Sequence, residues 1–486
     1  MPIDEYDLAV IGGGLAGKVA ALRAAELGER TVLVEAGPRD KYPANSRYTG
    51  GVFHIAFQDI HANPEELTKA VLQATGGFAD KQLAAALAET AGRAMDWLGD
   101  HGARIGLGGD LGFMRNMLEP YSLREPGFPN HWPDKGADRL LDELERRILD
   151  NGGTVIWDTR ARRLVMDGRR CVGVEVTGQD GAPRTIMASS VLLADGGFQG
   201  NPDLVRRYIS PKPGALCTRG AGTGLGEGLQ MAEEAGAALA ALDRFYGHVQ
   251  CAEAVNNNLL WPYPILDIVA SAAVVVGPDG RRFTDEGLGG VSLANAIARL
   301  EDPLSSFVVM DEHIWDTLGR DFLLPPNPTI EERGAKVIRA RSVAELAAVT
   351  GLHAQNLAMT LEQHNAAISS GDAGCLDIPR TNSGSTLGRA PSPISTDSLV
   401  AVRLAAGITY TMGGIVTDPD GQVVHRDGDT MPGLYAAGAT TAGLEGGPVS
   451  GYVGGLAKAL IFGLRAAEHA AAGATEPSTF AVATGK

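Results

Sequence analysis

From Tyr6 to Ile11 the residues YDLAVI form a short apolar run closed by glycine, a pattern that predicts a buried parallel strand. Apolar positions then recur at helical spacing from Leu15 to Leu27, and Thr31 to Val34 (TVLV) form a second β-rich run ending at Glu35. Strand, helix and strand in that order predict a βαβ unit. Val191 to Gly197 (VLLADGG) predicts a further strand entering a glycine turn. Gly433 to Gly438 (GLYAAG) predicts another, followed by the glycine loop Glu445 to Gly455 and a helix from Leu456 to Ala471. Between Thr154 and Val191, β-type runs around a turn at Gln179 to Pro183 predict a small β excursion. Gly222 to Gly236 reads as a glycine turn opening a helix. From about Leu242 to Val402 the pattern is mixed strand and helix, with turns at Gly277 to Gly280, Pro325 to Pro328 and Arg389 to Pro393. No repeat of fixed period occurs, and the Ala-rich tail is expected to fray.

The first turn carries chemistry. Gly12, Gly14 and Gly17 form GxGxxG between a predicted strand and helix. The first glycine permits the turn, the second lets backbone approach a pyrophosphate, and the third lets helix and sheet close together. Leu15 and Ala16 then present the helix N-terminus to the phosphates. Glu35, with Ala36 after it, falls where a carboxylate accepts ribose hydroxyls; an acidic group there disfavours a 2′-phosphate and leaves FAD or NAD.

Three later segments favour FAD. Asn45, Ser46, Thr49, Gly50 and Gly51 can run donors past the pyrophosphate and isoalloxazine. Ala194, Asp195 and Gly196 form the turn after a strand, and Gly438, Ala439, Gly454 and Gly455 lie in the C-terminal glycine segments. A nucleotide site assembled from both ends of the chain implies an insertion. The expected fold class is α/β: a Rossmann-like FAD-binding domain of residues 1–241 and 403–486, with an inserted α+β capping domain of residues 242–402.

Composition narrows the partners. A chain of 486 residues with 44% hydrophobic content suits two or three domains. Its formal charge of −16 argues against nucleic acid or an anionic membrane surface. No apolar run approaches the ~20 residues of a membrane span, and the N-terminus lacks signal-peptide character, so a cytoplasmic location is expected. Cys171, Cys217, Cys251 and Cys375 show no metal or disulfide spacing and are expected as buried thiols. No metal site is expected.

These motifs, with LLADGGFQGN, GTGLGEGLQMAEEAGA, FYGHVQ, GRRFTDEG, YTMGGIVTD and GYVGGLAKALIFG, resemble the flavoprotein subunits of succinate dehydrogenase and fumarate reductase. The resemblance extends to the 3-ketosteroid dehydrogenases, aspartate oxidase and tricarballylate dehydrogenase, and covers nearly the whole chain. It implies a cap closing over the flavin and interconversion of CH–CH and C=C beside a carbonyl or carboxylate. Two family arginines are missing: their positions hold Gly290 and Ser450. The histidine pair before TMGG is Thr409 and Tyr410, the glutamate after AAG is Ala439, and the flavin-linking histidine falls near Ala44, which implies noncovalent FAD. A C4 dicarboxylate substrate is therefore not expected.

Losing the arginines leaves tyrosines for proton transfer, as the resemblance to ketosteroid dehydrogenases implies. Tyr410 precedes a glycine pair expected beside the flavin. Tyr452, in YVGG, together with the Gly455 N–H is a candidate oxyanion hole, and Ser450 and Thr409 are candidate substrate contacts. Tyr246 and His248 alternate on a predicted strand and share a face. Tyr121, Arg124 and His131 are weaker candidates for the entrance. Glu445 and Asp267 read as single carboxylates without partners, and His364 and Asn365 as surface residues. The expectation is a dehydrogenase that desaturates a cyclic ketone or ring oxo-acid and passes electrons to an external acceptor. An enone or enoate reductase, or a flavin subunit of a larger electron-transfer complex, are the alternatives; the oligomeric state stays open.

Overall fold

The computed structural model describes residues 5–109, 111–122, 131–260, 265–320, 329–381 and 388–474. Arg124, the Pro325–Pro328 turn and the tail beyond Ala474 lie outside the described residues.

The first βαβ unit forms as its pattern demands. Strand β1 (Glu5–Ile11) enters a turn, helix α1 (Leu15–Glu26) follows, and β2 (Thr31–Val34) returns parallel to β1. Gly12 adopts φ 103°, a left-handed value open chiefly to glycine. At Gly17 a Cβ would overlap the Gly12 carbonyl oxygen, so the helix can seat on the turn only with hydrogen there. Helices α2 (Lys81–Asp100) and α3 (Gly136–Asp150) cover the same face as α1. Strand β3 (Thr154–Ile156) extends the sheet, and the excursion β4 (Arg160–Asp167), β5 (Arg170–Thr177) and β6 (Pro183–Leu193) follows.

Strand β6 does two jobs that the sequence pattern treats as separate. Its first half pairs antiparallel with β5, and its second half pairs parallel with β1, with Met187 opposite both Gly173 and Glu5. Eleven continuous residues thus tie the excursion to the nucleotide sheet.

A second sheet is built from β7 (Cys217–Thr218), β8 (Phe245–Cys251), β9 (Val274–Val276), β10 (Phe307–Asp311), β11 (Val337–Ala340) and the 13-residue β12 (Leu399–Thr411). Its path runs β7–β12–β10–β9, and β8 and β11 also pair with β12. Helices α4 (Ile265–Ala272) and α5 (Gly290–Ala298) pack beside β8. The chain then rejoins the first sheet through β13 (Gln422–Val424) and β14 (Thr430–Ala436), giving the path β13–β14–β6–β1–β2–β3, and ends its described part in α6 (Gly455–Ala474) against α1. The architecture is the expected α/β fold. The expected junction at 402/403, however, falls inside β12, and β7 joins the second sheet from before residue 242. One core of buried residues, including Val34, Val191, Val276 and Val402, runs continuously between the sheets.

Two surface and thiol expectations need correction. His364 is fully buried and its Nε2 lies 3.0 Å from the Ser392 carbonyl, while Asn365 donates to the Ile394 carbonyl at 2.8 Å. They anchor the chain returning toward β12, a tertiary contact that helical spacing does not reveal. Cys171, Cys217 and Cys251 are buried, but Cys375 is exposed because it lies on a one-turn helix with no buried residue.

Candidate active site

Both sheets deliver their strand ends to one cavity of about 680 Å³. Gly12, Gly14, Leu15, Ala16, Glu35 and Ala36 line it from the βαβ unit. Asn45, Ser46, Thr49 and Gly50 line it from the following loop; Ala194, Asp195 and Gly196 line it from the end of β6; Gly438, Ala439 and Gly455 line it from the C-terminal segments. Gly17, Gly51 and Gly454 do not reach the wall. Gly17 closes helix on turn, a Cβ on Gly51 would press against Leu118, and Gly454 backs onto the His54 carbonyl.

The nucleotide end is braced by hydrogen bonds within the protein. Glu35 accepts from the N–H of Gly13 and of Gly37, both at 2.7 Å, which locks the carboxylate under the turn. Asn45 donates to the Thr409 carbonyl at 2.9 Å and accepts from the Ala221 N–H at 2.9 Å, so this loop is stitched to the second sheet. Asp195 accepts from Gly228 N–H at 2.7 Å, while its buried Oδ1 and the buried Oε1 of Gln199 have no hydrogen-bond partner. Burial pushes the Asp195 carboxyl up to about 6. A glycine turn at a helix N-terminus, a carboxylate at the second strand end and orphaned buried acceptors on the wall together fit a dinucleotide whose ribose and ring N–H groups donate.

At the other end three tyrosines meet. The rings of Tyr246 and Tyr452 stack with centroids 3.9 Å apart, and that of Tyr410 lies 5.3 Å from Tyr246. Tyr246 and His248, alternating on β8, both reach the wall, as does Thr409. The Tyr246 hydroxyl is 3.0 Å from His248 Nε2, and His248 Nδ1 is 2.5 Å from Asp267 Oδ2. Because a carboxylate only accepts, Nδ1 carries the proton and Nε2 accepts from the tyrosine. Burial holds His248 below the ordinary imidazole range, against the pull of Asp267, so the ring is neutral. Burial also pushes the Tyr246 phenol up to about 12, opposed by the nearby Arg219 guanidinium. Tyr452 is likewise raised well above the ordinary phenol value, by burial first and by Tyr246 second.

The two carboxylates read as isolated are both engaged. Glu445 accepts from the Tyr410 hydroxyl, from the N–H groups of Val453 and Gly454, and lies 3.6 Å from Lys458 Nζ. Burial first and Glu445 second raise Tyr410 well above the ordinary phenol value. Asp267 holds His248. Neither pairing is local: each joins residues brought together by packing of separate elements.

Ser450 is buried in a turn closed by Gly446 and Gly451, adopts φ 51°, and does not line the cavity. Tyr121 is turned to Glu119, 2.9 Å away, and the Leu107 carbonyl; His131 is exposed; neither lines the cavity. Arg219 is the residue the sequence reading missed. It lines the cavity, donates to Thr409 Oγ1 at 3.0 Å, and is held below its usual pKa by burial. A single arginine before a glycine turn carries no periodicity to mark it. Among the described residues, no cluster of three or more metal-ligating side chains occurs, and no helix is long and apolar enough to cross a membrane.

The fold and the site define a flavin-dinucleotide oxidoreductase. A model of the FAD binding domain matches residues 7–451, and the chain belongs to that family, in the group that holds fumarate reductase flavoproteins and 3-ketosteroid dehydrogenases. It is 26% identical over 493 residues to a fumarate reductase (cytochrome) of Shewanella frigidimarina, covering 97% of this chain and 78% of that protein. It is 24% identical over 583 residues to a 3-oxosteroid 1-dehydrogenase of Mycobacterium tuberculosis, covering 97% and 99%. The solved 3-ketosteroid Δ1-dehydrogenase of Sterolibacterium denitrificans shares the fold with TM-score 0.71 at 20% identity, over 97% of this chain and all of that one. FAD is the cofactor.

Proposed function

We propose that the chain desaturates a cyclic ketone or ring oxo-acid, forming C=C α,β to the carbonyl, with Tyr246 as proton acceptor. The observation that carries this reading is the Tyr246 hydroxyl 3.0 Å from a neutral, buried imidazole at the cavity wall. Loss of the Cα proton to the Tyr246 oxygen is balanced by movement of the tyrosine proton to His248 Nε2. The imidazolium so formed stands against the Asp267 carboxylate, and Arg219 lowers the cost of negative charge on the phenol. FAD, when bound, supplies the two-electron acceptor for the hydride leaving Cβ.

Tyr410 suits proton acceptance less well, because its hydroxyl is committed to Glu445. The Tyr452 hydroxyl and the N–H of Gly455 at the start of α6 are our candidates for the donors that polarise the ketone oxygen. Ala44 lines the cavity, and we read the flavin as noncovalent. Residues 242–402 act in this reading as a cap, and an external acceptor takes the electrons away.

The test is anaerobic mixing of the purified flavoprotein with a series of saturated cyclic ketones and ring oxo-acids while flavin absorbance is followed. Bleaching supports the reading. The reverse reaction is the second reading, favoured by relatives such as the Shewanella fumarate reductase. If no ketone bleaches the flavin and dithionite-reduced protein is reoxidised by an enone, the direction proposed here is wrong.

A further inference from the structure

We propose that Asp267 is a positioning residue that sets the tautomer of His248, and that residue 290 is glycine because the Asp267 carboxylate fills the space a side chain there would need. The catalytic consequence rests on the functional reading above. The geometry does not.

Asp267 projects from α4 toward β8 and is 5% exposed. Its two oxygens are divided between neighbours on that strand: Oδ1 accepts from the Val249 N–H at 2.7 Å, and Oδ2 faces His248 Nδ1 at 2.5 Å. The backbone contact fixes the carboxylate relative to the strand, so the ring contact cannot drift without breaking it. With Nδ1–H committed to the carboxylate, Nε2 is left as the acceptor that Tyr246 requires. Without the carboxylate the ring is free to carry its proton on Nε2. It would then offer Tyr246 a donor where proton transfer needs an acceptor.

Gly290 opens α5, and a Cβ built on it would fall within the Asp267 carboxyl group. The rotamer of a residue placed at 290 cannot relieve that overlap, since Cβ position is set by the backbone, so the Asp267 carboxyl or the backbone must move. A side chain at 290 therefore displaces the carboxylate from the position in which it meets both Val249 and His248. The resemblance described above implies an arginine at position 290, where this chain has glycine.

The rival account is that Asp267 merely staples α4 to β8 through Val249. Proton and nitrogen NMR of FAD-loaded protein labelled with 15N-histidine separates the two, with H248Q identifying the His248 signals. The expected wild-type result is an Nδ1–H tautomer with a strongly downfield proton. D267N should abolish that proton and shift the nitrogen pattern to the Nε2–H tautomer while FAD stays bound. G290A should perturb the same resonances. An unchanged His248 pattern in D267N overturns the proposal, and an unchanged pattern in G290A overturns its glycine half. Should D267N fail to retain FAD, the wild-type nitrogen shifts still decide: an Nε2–H tautomer there sinks the idea.

Flavin bleaching by a cyclic ketone adds the catalytic readout. D267N is expected to slow reduction by about a hundredfold or more with the ketone concentration dependence preserved. Equal rates in D267N and wild type would remove the catalytic role. If wild-type flavin is bleached by no ketone, the functional reading fails, and the tautomer measurement still judges Asp267.

Discussion

The Tyr410 hydroxyl lies 2.9 and 3.1 Å from the two carboxylate oxygens of Glu445, deep in the protein and 35 residues away along the chain. The carboxylate also accepts from two backbone N–H groups of the loop entering α6 and faces Lys458. The carboxylate is fully buried.

Removing that carboxylate takes the acceptor from three donors and the counter-charge from Lys458, which keeps its hydrogen bond to the Thr441 carbonyl. Glu445→Ala is expected to destabilise the protein by about 3–5 kcal/mol, the usual cost of breaking a buried pair by deleting one side. Glu445→Gln, which keeps the acceptor oxygen, should cost less. Urea unfolding of the two variants and wild type checks both the size and the order.

Tyr246→Phe should separate chemistry from cofactor binding. The variant keeps the ring that stacks on Tyr452 but loses the hydroxyl that meets His248. Flavin reduction by an active ketone should fall about 10²- to 10⁴-fold while bound FAD is retained. Tyr410→Phe should fall less. Equal losses in the two variants would contradict the assignment of Tyr246 as acceptor.

Glu35→Ala should release the cofactor. The carboxylate braces the turn through Gly13 and Gly37, and we propose that it also accepts from the ribose hydroxyls. Loss of hydrogen bonds to a charged group is worth about 1.5–3 kcal/mol, or roughly 10- to 150-fold in affinity. The ratio of flavin to protein absorbance after gel filtration reports it, and an unchanged ratio would count against Glu35 as a cofactor contact.

His54 makes stability depend on pH. It is buried beside Tyr452 and Phe57, and burial pushes its imidazole down to about 4 from an ordinary 6.5. Between those values the unfolded chain binds a proton that the folded protein refuses, so stability falls as pH drops from 6.5 toward 4. The single group contributes about 3 kcal/mol across that window. Asp195, raised to about 6, acts in the opposite sense above the ordinary carboxylate range. The clean measurement is therefore a difference: His54→Leu should lose less stability than wild type between pH 7.5 and 4.5. Parallel losses would rule the residue out as the source.

How much could be read along the chain depended on the range of each constraint. The nucleotide turn was legible because its demands are local: a left-handed φ at Gly12, no Cβ at Gly17 and a carboxylate at the end of the next strand are all requirements on nearby residues. The alternation that put Tyr246 and His248 on one face was legible for the same reason.

The sequence by itself determined the FAD-binding βαβ unit, the α/β class and a glycine at position 290. Only the tertiary structure decided what stands in that space. Asp267 looks solitary because its partners sit on a strand 18 and 19 residues earlier, across a helix–strand interface. Arg219 and Glu445 gain their roles only when separate segments converge on one cavity. Periodicity records which face a residue takes on its own element; it does not record which other element that face will meet.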